Sequence, residues 1–178
     1  PGPGWGGSCF PKDTKALLKI AQDNGYDFEL LAGVISANES QFDRIAARIT
    51  TDVEAVSKTP VVAIWGLTFK SGTDDLRESP SLKIIDRLIR GGVAIQAYDP
   101  TQVDSVHNSK QVKYATSALA ACEGADLLAV FTEWEEFSSI DPKSVASKLR
   151  NLLVFDGRNM LDKPLWVKAG FTYKGIGQ

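Results

Sequence analysis

The chain has 178 residues, a formal net charge of -2 and 43% hydrophobic residues, enough for one ordinary domain with an appendage and a buried core. A slightly acidic balance without any basic stripe argues against nucleic acid as a partner. No apolar stretch approaches the roughly 20 residues that span a bilayer, so no membrane is expected as a partner either. Two cysteines, Cys9 and Cys122, are too few for a disulfide framework and lack the spacing and histidine partners of a zinc site. Reduced thiols in a cytoplasmic protein, without a metal, are therefore expected, with a single bridge as the alternative.

Residues 1–12 form a glycine- and proline-rich loop. The chain opens on Pro1-Gly2-Pro3-Gly4, the inside of a loop, which fits a piece of a longer protein. Asp13 or Thr14 is suited to cap a first helix, with Leu17, Ile20 and Ala21 on one face and Gly25 as its stop. A second helix is predicted from Phe28 to Ser57, its stripe running through Leu31, Ala32, Ile35, Phe42, Ile45, Ala46, Ile49, Val53 and Val56. Such a helix would be about 45 Å long if straight. It is expected either to kink, with Gly33 the candidate, or to serve as a backbone between domains or subunits.

Thr59-Pro60 ends this zone and the period changes. Val61–Trp65 reads as a buried strand, Leu82, Ile85 and Ile89 as a helix ending at Gly91-Gly92, and Val93–Tyr98 as the next strand. A polar stretch with the sole histidine, His107, leads to a weak strand Val112–Tyr114 and a helix Ser117–Cys122. Asp126–Phe131 and Leu152–Phe155 are further buried strands, with a helix Pro142–Leu149 between them, and Phe171–Tyr173 is a candidate edge strand. Alternating strands and helices, with strands apolar on both faces, predict an α/β unit built on a doubly wound, mostly parallel sheet. Two regions are expected: a helical segment with its cysteine loop over 1–58, and the α/β domain over 59–178.

A thiol attacks only as thiolate, which needs a positive or donor-rich setting. Cys9 precedes a predicted helix N-terminus, where free amides and the helix dipole favour negative charge, and Lys12 is three residues away. Gly6 and Gly7 allow close backbone approach of a substrate, and Asp13 is placed to orient a water. The same residues also suit a small buried thiol followed by a simple N-cap, and composition alone leaves both readings open. Cys122, among alanines, reads as a buried small residue, His107 as exposed, and Trp134 and Trp166 as packing. Asp74, Asp75 and Glu78 read as a solvated loop with capping, and Asp99 closes a strand where a dinucleotide-binding sheet carries its ribose acid. Gly2-Pro3-Gly4-Trp5-Gly6-Gly7 formally fits G-x-G-x-x-G, but no strand precedes it and helix follows, so it is not taken as a dinucleotide loop.

Three separated stretches together resemble the UDP-glucose/GDP-mannose dehydrogenase family. They are Gly6-Gly7-Ser8-Cys9-Phe10-Pro11-Lys12-Asp13-Thr14, the segment from Gly66 to Pro80 with Phe69-Lys70 and Gly72-Thr73-Asp74-Asp75-Leu76-Arg77-Glu78-Ser79-Pro80, and Phe155-Asp156-Gly157-Arg158-Asn159. The likeness covers nearly the whole chain in order, and Phe10 and Lys12 favour the UDP-glucose branch. It implies a Rossmann-like C-terminal domain and two successive NAD-dependent oxidations of the hexose 6-hydroxyl, turning UDP-glucose into UDP-glucuronate. Cys9 would form the thiohemiacetal and thioester, and Asp13 would help place the hydrolytic water. Gly4, Trp5 and Gly6 would line the sugar pocket, and Phe69, Lys70 and Arg158 would contact the substrate. Arg77 would reach NAD held mainly by a preceding domain, and the helical segment would form a homodimer. Upstream Lys, Asn and Glu residues of the family fall outside this stretch, so these residues alone are expected to be inactive. The alternatives are a non-catalytic UDP-sugar-binding and dimerisation module, or a dehydrogenase acting on another UDP-hexose.

Overall fold

The computed structural model describes residues 2–101 and 111–177; His107 lies outside the described residues. Two helices come first, α1 (Phe10–Asp23) and α2 (Glu29–Glu54). They are followed by β1 (Val61–Trp65), α3 (Pro80–Arg90), β2 (Ala94–Tyr98), β3 (Val112–Tyr114), α4 (Ala118–Cys122) and β4 (Leu127–Val130). Then come α5 (Glu135–Ser138), α6 (Pro142–Ala146), β5 (Leu153–Asp156), α7 (Lys163–Lys168) and β6 (Thr172–Gly175). The six strands form one sheet in the order β3-β2-β1-β4-β5-β6, with every neighbouring pair parallel. The predicted α/β class and parallel sheet are thus present, and the order reverses between β1 and β4.

Both faces of the sheet are covered at its centre, which is why β1 and β4 are continuously apolar, whereas β2 carries Gln96 and the edge strands β3 and β6 carry Lys113 and Lys174. Val62 and Ile64 of β1 pack towards Phe42, Ile45, Ile49 and Val53 of α2 and Ile84, Ile85 and Leu88 of α3. Ala63 and Trp65 point the other way, into a core with Ala118, Phe137, Val145 and Trp166. The Trp65 indole stacks on Phe137 at 5.1 Å and donates to the Ala118 carbonyl at 2.8 Å, satisfying its one polar atom inside the core. Trp166 lies on Phe171 at 4.7 Å, a packing role as expected.

The long helix departs from expectation in two ways. It ends at Glu54 and continues through Gly33 without a break, leaving a 26-residue rod. Its C-terminal half is core, whereas Leu30 is 75% and Val34 42% exposed in its N-terminal half. Arg87 of α3 ties the two helices together: it bonds Asp43 and Glu39, and its guanidinium lies 5.5 Å from the centre of the Phe42 ring. At the sheet edge, Lys174 of β6 reaches Asp52 of α2 at 2.6 Å.

Helix α1 begins earlier than its sequence suggests. Pro11 occupies its first turn, where a fixed φ and a missing N–H cost nothing, and Cys9 rather than Asp13 or Thr14 is the N-cap residue. The Asp13 amide already donates to the Cys9 carbonyl at 2.9 Å. Leu17 and Ile20, predicted to share one face, are 50% and 59% exposed, so that face does not enter the core. Helix α6 stops at Ala146, short of Leu149, and the short helices α5 and α7 were not predicted. Among the described residues, no helix is long and apolar enough to cross a membrane.

Candidate active site

The loop after β1 is secured by its own short polar side chains. Ser79 and Ser81 donate to the Leu67 and Gly66 carbonyls, each at 2.7 Å, and Thr132 donates to the Thr68 carbonyl at 2.6 Å. Asp99, at the end of β2, accepts from the Leu67 and Thr68 amides, the Thr68 and Thr101 hydroxyls, the Thr101 amide and the Trp134 indole. Burial acts to raise its pKa, but the bonds from Thr101, Leu67 and Thr68 outweigh that and hold the carboxyl below its ordinary value. Asp99 is therefore structural. A Cβ on Gly66 would stand 2.4 Å from Thr132, so the turn requires glycine there.

Further along the loop, Asp75 corrects the solvated-loop reading. Its carboxylate takes both arms of the Arg77 guanidinium at 2.9 Å and the Arg77 amide at 3.0 Å. These bonds pull its pKa down to about 2. Asp75 in turn raises the pKa of Arg77 through its hydrogen bond and its charge. Asp74 and Glu78 are exposed as expected, but Glu78 has φ +50°, a left-handed conformation that is rare for such a residue.

Arg158 follows β5 and is braced from behind. Asp156 accepts from the Arg158 amide at 2.9 Å, and from the Leu161 amide and the Tyr173 hydroxyl, each at 2.8 Å. Burial, then the Asp156 charge and bond, push the Tyr173 phenol well above its ordinary range. The Arg158 guanidinium donates to the Phe131 carbonyl at 2.8 Å and the Phe69 carbonyl at 3.0 Å. Because the Nε hydrogen points at Phe131, Glu133 Oε2 at 2.9 Å from Nε is a charge contact, and that buried oxygen accepts no hydrogen bond. Burial lowers the pKa of Arg158, and Glu133 acts against that shift.

The N-terminal loop is laid across these two loops. Trp5 donates its amide to Asn38 Oδ1 and accepts from Asn38 Nδ2, both at 3.0 Å, so one buried amide on α2 holds the loop from both sides. A Cβ on Gly4 would meet the Phe42 ring at 2.4 Å, and one on Gly6 would meet the Glu78 carbonyl at 2.2 Å. Gly7 faces the Phe69 ring, and Gly2 the Arg158 guanidinium. The Trp5 ring meets Phe10 edge-on at 5.0 Å.

Cys9 emerges exposed from this loop at the N-terminus of a 14-residue helix, 3.7 Å from the Ser8 hydroxyl. Gly4, Trp5, Gly6, Phe69 and Arg158 are thus gathered into one locus, with Cys9 and Arg77 at its rim. Lys70 and Asp13 are less directly placed. The Lys70 ammonium lies 5.6 Å from the Phe69 ring centre, and exposed Asp13 pairs with Lys12 at 3.2 Å. Cys122, by contrast, is buried, and desolvation pushes its thiol up to about 12. Sequence reading missed Asn38, Glu133 and Asp156. Asn38 left a signal, a polar residue inside the apolar stripe between Ile35 and Phe42.

Residues 63–163 match the UDP-binding domain of the UDP-glucose/GDP-mannose dehydrogenase family, and residues 1–40 match that family's central domain. The chain is 39% identical to a UDP-glucose 6-dehydrogenase of Pseudomonas aeruginosa over 184 residues, covering 99% of this chain and 41% of that protein. It is 38% identical to UDP-glucose 6-dehydrogenase TuaD of Bacillus subtilis, covering 99% of this chain and 39% of that one. Among solved structures, a UDP-D-ManNAc dehydrogenase from Pyrococcus horikoshii superimposes with a TM-score of 0.80 at 34% identity, over 99% of this chain and 40% of the other. A UDP-glucose dehydrogenase from Pyrobaculum islandicum gives 0.79 at 27% identity, over 98% and 38% respectively. The chain spans about two fifths of the length of these relatives.

Proposed function

Because the chain belongs to the UDP-glucose/GDP-mannose dehydrogenase family and carries its UDP-binding domain, we propose that it supplies the nucleophile and the UDP-sugar half of a UDP-glucose 6-dehydrogenase. The observation that carries this reading is the placing of Cys9: a thiol at a helix N-terminus, on a glycine loop docked against Phe69, Glu78 and Arg158. Residues 1–58 act as the cysteine-bearing helical segment and 59–178 as the nucleotide-binding unit.

In this mechanism Arg158 and Phe69 hold the sugar nucleotide at the carboxyl ends of β1, β4 and β5, and the glycine loop brings backbone, without side chains, against the hexose. Lys70 adds a charge for phosphate or sugar oxygens. NAD supplies the hydride acceptor for each oxidation and is held mainly beyond these residues, with exposed Arg77 suited to its phosphates. Once the 6-aldehyde exists, the Cys9 thiolate adds to its carbon to give a thiohemiacetal. Loss of hydride from that carbon leaves a Cys9 thioester, which water cleaves to the carboxylate and the free thiol. Asp13, in the first turn of α1, orients that water. Sulfur suits both steps, since its thioester is hydrolysed more readily than an oxygen ester.

The test uses the full-length protein with UDP-glucose: two NADH should form per UDP-glucuronate. Cys9→Ala should lower turnover at least 1,000-fold, on the order seen when a covalent nucleophile is removed. An unaltered rate in Cys9→Ala sinks the nucleophile, and preferential oxidation of a different UDP-hexose replaces the substrate. A cytoplasmic location is part of the same proposal, and the free thiols of Cys9 and Cys122 suit a reducing compartment.

A further inference from the structure

Helix α1 carries the nucleophile, yet Pro11 is its only buried residue, and the apolar side chains Leu17 and Ile20 stand in the open. Core packing therefore does not register Cys9 against the nucleotide-binding sheet. Glu78 connects the two. Its carboxylate lies 3.9 Å from Lys15 on α1 and 3.1 Å from Lys83 on α3. Its carbonyl accepts from the Gly7 amide at 3.4 Å, two residues before the cysteine, and occupies the place a Gly6 side chain would need. Position 78 is itself rigidly placed, because the Ser79 amide donates to Leu76, its buried hydroxyl donates to Leu67, and Pro80 starts α3. The backbone there is left-handed at φ +50°, a strain that persists only where surroundings over-determine it.

We propose that Glu78 is a positioning residue for Cys9, a strut whose carbonyl holds the glycine loop and whose carboxylate joins the cysteine helix to α3. This rests on the reading of Cys9 as the nucleophile. Half-exposed ion pairs add little to folding stability, so the strut acts on geometry rather than on the melting temperature. A displacement near 1 Å at a reacting atom lowers rates on the order of 100-fold, which makes small losses of registry visible in turnover.

The experiment compares wild type, Glu78→Gln, Lys15→Met and the double variant in the full-length enzyme, with hydrogen exchange followed by mass spectrometry. Glu78→Gln and Lys15→Met should each lower kcat about 5- to 20-fold with KM for UDP-glucose within about two-fold. The double variant should lose no more than the worse single one, because both remove the same strut. Exchange should quicken across residues 10–16 while the sheet amides stay unchanged. Unchanged kcat, losses that follow KM or melting temperature alone, or unaltered exchange in α1 would each overturn the strut. An inactive wild type would instead defeat the assignment of the reaction, and exchange in α1 would still decide for or against the strut.

Discussion

Single side chains do most of the joining in this molecule. Asn38 is 8% exposed and meets both backbone groups of Trp5, so removing it strands a part-buried donor and a part-buried acceptor. Asn38→Ala is expected to destabilise the chain by about 1–3 kcal/mol, measured by urea unfolding, and to raise KM for the sugar nucleotide by loosening the Gly4–Gly6 loop. Asp75 makes a pH-dependent claim. Its folded pKa is depressed to about 2, so its grip on Arg77 is complete above its ordinary value of 3.8 and is lost as pH falls towards about 2. Loop exchange in Asp75→Asn should therefore exceed wild type at pH 7, and the difference should shrink over that acid window. Asp75 also shows what spacing hides. Asp-x-Arg reads as a solvated pair of charges, and only the turn that folds Arg77 back reveals the fork. The loop that carries Cys9 stands out in the sequence as one local run of glycines ahead of a helix, whereas the brace of Arg158 by Phe69 and Phe131 joins residues distant in sequence.

At the level of elements, legibility followed burial. Strands β1, β4 and β5 were found within a residue or two at each end because an apolar run buried on both faces is unmistakable, and β2 was found equally well although its burial alternates. Helices α5 and α7 span only four and six residues, too short for a period to declare itself, although Asp162 caps α7 through the Leu165 amide and Pro164 opens it. The start of α1 was misplaced because Cys9 caps without a side-chain bond, so no Ser, Thr, Asp or Asn marked it. The helix stripe of α2 was read correctly as apolar, but only its second half meets the sheet. Ile49 and Val53, both 0% exposed, are the keystones of that contact. Ile49→Ala should cost about 2–5 kcal/mol in chemical denaturation, whereas Leu30→Ala, in the exposed half, should cost under about 0.5 kcal/mol in the monomer.

Across the whole molecule, the unpaired stripe is the principal loose end. Leu17, Ile20, Leu30 and Val34 present apolar surface on α1 and the first half of α2, and we propose that a second copy of the chain covers it. Sedimentation of the full-length protein at micromolar concentration should give a dimer, and Leu30→Glu should shift it towards monomer; a wild-type monomer would remove the assignment. The change of period at Thr59-Pro60 was readable, and β1 begins directly after it at Val61. What no periodicity conveyed is that α2 belongs physically to the sheet's core, since that depends on which stripe meets which strand.

The tight turn after β1 has a consequence for what position 66 can tolerate. Thr132 stands where a Cβ would go, and the backbone of Gly66 is left-handed, so even the smallest side chain must push the segment after β4 away from the end of β1. Gly66→Ala is therefore a lesion of the scaffold itself, felt in folding yield before any ligand is added.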